Sequence, residues 1–202
     1  MSNRILCHAA VASIIWAATL LAPGSACAQG GAAPAGAASG VKGEILVWIQ
    51  DAEDKLLQLA EAMPESTYGW SPDKGVRSVG QVFMHVAAAN YGLPSFIGIQ
   101  PPAGFNFATY EGSLTKKADI IKSLRDSFAH MKGAFKAMSD ADMDKPAEYF
   151  GMKTTSRGTY LLLLSHAHEH LGQAIAYARS NKVTPPWTAK EQAAEAAKAK
   201  KK

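Results

Sequence analysis

Cysteine is nearly missing from this 202-residue chain, and its two occurrences, Cys7 and Cys27, both fall within the first 28 residues. The remainder can therefore supply no thiol nucleophile, no thiolate metal ligand and no disulfide. Excess charge of either sign is missing as well. The formal net charge of +4 belongs to the ends, because residues 1–28 carry Arg4 and no acid while Lys190–Lys202 carries five Lys and two Glu. The part between is neutral, which gives no reason to expect a nucleic-acid-binding surface. No apolar run reaches the roughly 20 residues needed to span a bilayer. Strand-type alternation is nearly absent, and there is no internal repeat. What the chain does have is apolar content, 48% by a broad count, enough to bury a core and to exclude disorder as the main state.

The ends separate from the middle by composition. Residues 1–28 read as a secretory signal peptide: Arg4, the apolar stretch Ala9–Ala22, a break at Gly24-Ser25, and the small residues Ala26-Cys27-Ala28 at the cleavage positions. Cleavage leaves a periplasmic or secreted protein with no membrane association; the alternative is a retained amino-terminal anchor. Acylation of Cys27 is disfavoured by Gly24, which stands where a large aliphatic residue is wanted. Residues 29–40 form a Gly/Ala/Pro linker without a large side chain to pack. Residues 188–202 form a basic Ala/Lys-rich tail, helical at most in a frayed way because it lacks an apolar stripe. One folded domain remains, residues 41–187.

Within it, apolar side chains recur at helical spacing. Ile45, Ile49, Ala52, Leu56, Leu59 and Met63 form one stripe, ended by Pro64. A second helix is predicted from Ser78, where Ser78 and Gln81 make a capping-box pair, and is weakened or ended by Gly92 and Pro94. Ile121, Leu124, Phe128, Met131, Phe135 and Met138 mark a third helix from near Thr115. The fourth runs from about Ser156 to Asn181 and is stopped by Pro185-Pro186. Residues 149–155 suit a short extended piece without an evident pairing partner. Four such stripes are buried only by packing together, so the expected fold is all-α, an antiparallel four-helix bundle. The long connection between helices 2 and 3, Ile99–Ser113, either covers one end of the bundle or serves as a crossover. Its Phe105 and Phe107 either pack on the bundle or form a homodimer contact.

The histidines carry the chemistry. His166 and His170, four residues apart, stand about 40° apart on one helical face, the inward one, whereas His168 points away. His85 lies on the inner side of helix 2. An i, i+4 pair of imidazoles grips one divalent cation at about 2.1 Å per bond, and a third imidazole from a facing helix completes a three-nitrogen site with room for water. Such an ion generates a nucleophile at neutral pH. With only nitrogen and oxygen donors on offer, Zn, Ni, Fe and Mn all suit. The alternative is three core histidines hydrogen-bonded to neighbours, which leaves several ring nitrogens to satisfy in apolar surroundings at a cost. His130, at the edge of the third stripe, is expected to face solvent. Glu169 is a weak candidate for orienting an imidazole. Asn90 and Tyr91, close to His85 in sequence, are weak candidates for facing a substrate. Trp70 is expected to plug the bundle end, and Arg77 to bond helix ends or attract an anionic substrate. No Ser/His/Asp or paired-carboxylate arrangement supports a metal-free mechanism.

Two segments resemble a known family. Trp70-Ser-Pro-Asp-Lys-Gly-Val-Arg77-Ser-Val-Gly-Gln-Val-Phe-Met-His85 is similar to the Trp…Pro…Arg-Ser…His stretch of DinB-like proteins. His166-Ala-His-Glu-His170-Leu-Gly172-Gln173, followed by Tyr177, Arg179, Asn181 and Pro185-Pro186, is similar to that family's closing motif. The resemblance spans nearly all of residues 41–187. It implies a four-helix bundle and a divalent metal ion held by His85, His166 and His170. For a small-molecule substrate it implies either a thiol S-transferase using a low-molecular-weight thiol such as bacillithiol or mycothiol, or a member without established activity, and an exported member suits a metal-dependent hydrolase instead. Those thiols are chiefly cytoplasmic, which fits poorly with export. The alternative function is a helical module that binds a metal or small ligand without catalysis.

Overall fold

The computed structural model describes residues 40–200; the expected signal peptide and the linker through residue 39 lie outside the described residues. The elements run α1 (Gly40–Ala62), α2 (Val79–Gly92), α3 (Phe107–Tyr110), α4 (Lys117–Ala137), α5 (Asp140–Met143), β1 (Pro146–Tyr149), β2 (Met152–Thr155), α6 (Ser156–Ser180) and α7 (Pro186–Ala199). The four expected bundle helices are α1, α2, α4 and α6. Their stripes meet in one core whose largest buried side chains include Ile49, Leu56, Leu59, Phe83, Leu124, Phe128, Met131, Phe135 and Tyr160. Phe135 and Tyr160 stack with ring centroids 3.8 Å apart. The start of α2 follows its sequence signal: Ser78 Oγ accepts from the Gln81 N–H, and Gln81 Oε1 accepts from the Ser78 N–H at 2.9 Å. That capping box sets the helix phase, and hence which way His85 faces. Among the described residues no helix is long and apolar enough to cross a membrane.

Helices α1 and α2 both pack on α4 and on α6, so α1 and α2 stand at opposite corners of the bundle. Directions follow from side-chain pairs. Lys132 of α4 meets Gln50 and Glu53 of α1, while Lys117 meets Glu61 and Met63, which makes α1 and α4 antiparallel. Gly80 lies against Ile120, and Asn90 bonds Ser127, which makes α2 and α4 parallel. Val41 and Lys42 lie near Arg157, and Trp48 near Leu161 and Leu164, so α1 and α6 are parallel too. Each helix thus has one antiparallel and one parallel neighbour, where the sequence reading expected an antiparallel bundle. Parallel packing of α2 and α4 obliges the chain to travel back along the bundle between them. The 14-residue α2 is about 21 Å long, and the long connection, residues 93–116, is the crossover that runs back over this length.

That connection is not loose. Asn106 Oδ1 accepts from the Ala108 N–H at 3.0 Å and caps the short α3. Tyr110 shares a 2.9 Å hydrogen bond with Ser123 of α4. The rings of Phe105 and Phe107 lie against Gly92, where a Cβ would stand 2.4 Å from the Phe107 ring. Only the absence of a side chain at the end of α2 lets these aromatics settle there.

Two segments differ from expectation. The extended piece near residue 149 does have a partner, because Pro146–Tyr149 pairs antiparallel with Met152–Thr155. The turn between them is Phe150-Gly151 at φ 50° and 79°. Both values are positive, as a two-residue hairpin of matching twist requires. At the other end, Pro185 and Pro186 do terminate α6, but Pro186 also starts α7 as its first helical residue, where a missing N–H costs nothing. The Ala-rich tail then runs as a helix with no buried residue.

Candidate metal centre

His85 on α2 and His166 and His170 on α6 converge between the two helices. Their ring centroids are 4.9, 4.6 and 4.4 Å apart for the pairs 85–166, 85–170 and 166–170. One nitrogen from each ring lies within 4.8 Å of the others. His85 Nε2 and His166 Nε2 are 3.1 Å apart. Tetrahedral zinc, with Zn–N bonds near 2.1 Å, separates its donors by about 3.4 Å. The spacing fits one ion.

Hydrogen bonds at the far side of two rings aim them. His85 Nδ1 is 3.0 Å from Glu111 Oε2, and His170 Nδ1 is 2.8 Å from Gln173 Oε1. Both partners are acceptors, so both histidines carry their proton on Nδ1 and present a bare Nε2 inward. Gln173 is itself oriented by donating from Nε2 to the Tyr177 hydroxyl at 3.0 Å. Glu111 is held by Arg77, whose Nε donates to Oε1 at 2.7 Å. His166 is different, since its buried Nδ1 has no hydrogen-bond partner among the described residues.

The His85 and His166 rings also favour the neutral form. Burial, together with His170, His85 and Arg77, pushes the His166 imidazole down to about 3. His85 is lowered too, chiefly by burial and then by Arg77 and His170, with Glu111 opposing. A neutral imidazole offers a lone pair, whereas an imidazolium offers none. Three close ring nitrogens with an unpaired ring atom behind one of them fit a divalent ion better than they fit a closed hydrogen-bond network.

Beside the cluster lies a cavity of about 690 Å³ lined by Gly75, Val76, Arg77, Gln81, Glu111 and Gln173. Glu111 and Gln173 thus both hold an imidazole and line a space large enough for a small molecule. Trp70, half-buried, packs edge-on against Tyr177 with centroids 5.3 Å apart, closing this end of the bundle.

The weaker sequence candidates fall elsewhere. Glu169 is exposed, in an outer groove with Trp48 and His168. Asn90 and Tyr91 follow His85 by five and six residues, which turns them about 140° and 120° from it round α2. Asn90 is buried against α4, its Nδ2 donating to Ser127 Oγ at 3.1 Å. Tyr91 is buried among Phe105, Tyr110 and His130, and its phenol is pushed up to about 12, first by burial. His130, expected at the surface, is half-buried against Tyr91. Arg77, expected to bond helix ends or attract an anionic substrate, bonds the Glu111 carboxylate and lines the cavity. Glu111 and Gln173 are the site residues to which the sequence reading gave no role, although Gln173 stands in the quoted closing motif.

A parallel-and-antiparallel helical bundle with three convergent histidines defines a class of helical proteins built around one cluster of side chains able to hold a metal ion. The family model for the DinB superfamily matches residues 49–174, and the chain belongs to that superfamily. Among solved structures, a DinB-like protein from Bacillus cereus is similar at 17% identity, with a TM-score of 0.61, over 70% of this chain and 95% of that one. YfiT from Bacillus subtilis, described as a probable metal-dependent hydrolase with an unusual four-helix bundle topology, is similar at 15% identity. Its TM-score is 0.58, over 71% of this chain and 89% of that one. No curated protein matches the sequence.

Proposed function

We propose that this protein binds one divalent metal ion through His85, His166 and His170 and hydrolyses a small molecule entering the adjoining cavity. The observation that carries this reading is the convergence of bare ring nitrogens whose far sides are tied to Glu111 and Gln173. A bound ion supplies Lewis acidity toward a substrate oxygen and toward water. The chain's own groups do the rest. Glu111 and Gln173 hold two rings at fixed tautomers, Arg77 holds Glu111, and Trp70 with Tyr177 shields the end of the bundle from solvent. The family likeness to YfiT, which is described in terms of metal-dependent hydrolysis, supports the same class. The absence of cysteine after residue 27 favours hydrolysis over chemistry on a protein thiol. Export to the periplasm or beyond belongs to the same proposal and rests on the composition of residues 1–28.

The test is elemental analysis of tag-free protein, followed by a panel of ester, amide and thiol-conjugation substrates with and without chelator. One equivalent of metal, lost in His85→Ala, and chelator-sensitive hydrolysis are the expected results. Stoichiometric metal retained in His85→Ala overturns the ligand set. Metal without turnover on any substrate favours a binding module.

A further inference from the structure

Resting on the metal-binding reading above, we propose that Glu111 is a positioning residue for the centre. It sets the ring of His85 from outside the helix that bears it, and the α2–α4 crossover is the arm that carries it there.

The three imidazoles are not supported alike. His170 is aimed from its own helix by Gln173, one turn further on. His85 has no such neighbour on α2. One turn before it stand Gln81, whose side-chain oxygen is committed to the Ser78 N–H, and Val82; one turn after it stand Ala88 and Ala89. A partner for His85 Nδ1 has to come from another element, and it comes from 26 residues away in sequence. Both carboxylate oxygens of Glu111 are engaged, Oε2 with His85 and Oε1 with Arg77. The carboxylate therefore acts on the ring rather than joining the ligand set, and it forces the proton onto Nδ1 and the lone pair onto Nε2, toward His166.

The arm has the anchors such a role requires. Glu111 caps the end of α3. The preceding residue, Tyr110, is bonded to Ser123 of α4 and packs on Phe105 and Tyr91, with centroids 5.0 and 5.8 Å away. Phe107 fills the space over Gly92. These contacts fix the crossover at both its flanking helices and leave the carboxylate facing α2. Remote groups that orient a metal-ligating histidine are worth about 10–100-fold in metal affinity.

The experiment compares wild type, Glu111→Ala and Glu111→Gln as tag-free full chains. It measures the zinc dissociation constant by competition with a chromophoric chelator, and the His85 tautomer in the metal-free state from its ring 15N shifts. The alanine variant is expected to bind zinc ~10–100-fold more weakly and to lose the exclusive Nδ1–H signature of His85. The glutamine variant, which can either accept from or donate to the ring, is expected to fall between, with a mixed tautomer. Wild-type affinity and a wild-type His85 signature in both variants overturn the proposal. If the alanine variant does not fold, the glutamine variant decides by the same two measurements. If wild type itself binds no zinc, the metal reading fails, and the tautomer comparison still decides whether Glu111 positions His85.

Discussion

His85 and His166 meet nitrogen to nitrogen, Nε2 against Nε2, at 3.1 Å. Glu111 accepts a hydrogen bond from the other nitrogen of His85, which keeps its proton on Nδ1, so His85 Nε2 is bare. The short contact is then a hydrogen bond only if His166 carries its proton on Nε2, which leaves its buried Nδ1 a lone acceptor. A metal ion needs that same Nε2 lone pair, so binding must move the His166 proton to Nδ1. Ring 15N shifts of His166 are expected to change from the Nε2–H to the Nδ1–H pattern on adding zinc. An Nδ1–H pattern already present in metal-free protein contradicts this account.

Acid should weaken the metal-free fold. His166 is held down to about 3 and His85 is lowered, whereas both return to about 6.5 in the unfolded chain. The unfolded state therefore takes up more protons as the pH falls below 6.5, and stability rises with pH across the window from about 3 to 6.5. For His166 alone, moving from pH 6.5 to 5 costs about 2 kcal/mol, or about 4–8 °C in Tm for a domain of this size. Thermal melts of metal-free protein at pH 7.5 and 5 measure it. In His166→Ala the slope should shrink.

A buried ion pair between α1 and α4 gives a test of the bundle independent of the metal. Lys132 Nζ reaches Glu53, which is 6% exposed, and donates to Gln50 Oε1 at 2.6 Å. Lys132→Met leaves the Glu53 carboxylate buried without its cation, and is expected to destabilise by about 3–5 kcal/mol. Glu53→Leu combined with Lys132→Met removes both charges and should recover most of that loss. Urea unfolding of the single and double variants measures the difference, and equal stabilities for the two contradict a buried pair.

The bundle was legible because its information is local and periodic. Stripes such as Ile121 to Met138 repeat every three or four residues, and the Ser78/Gln81 pair marks a helix start without any tertiary knowledge. The histidines were legible for the same reason: residues four apart on one helix, such as His166 and His170, share a face, and His85 sits in phase with the apolar side of α2. The expected antiparallel arrangement holds for α1 with α4 and α2 with α6 but not for the parallel pairs α1/α6 and α2/α4. Those were not legible, because a long connection serves an end cover and a crossover equally well. Glu111 was invisible since it lies in that connection with no periodic neighbours, and only the path of the crossover brings it to His85. Tyr91 and Asn90 were drawn in by closeness in sequence, although a count of 100° per residue turns both well away from His85. The hairpin escaped notice because Phe150-Gly151 stands where Asn-Gly is the usual signal.

His85 and His166 are 81 residues apart along the chain. Closing so long a loop costs entropy before any contact offsets it, and distant contacts of this kind form late. A partly synthesised or partly folded chain, lacking α6, can present only one of the three clustered imidazoles, that of His85. An ion captured at this point therefore registers that the last helix of the bundle has docked, and ties its own retention to the completed fold.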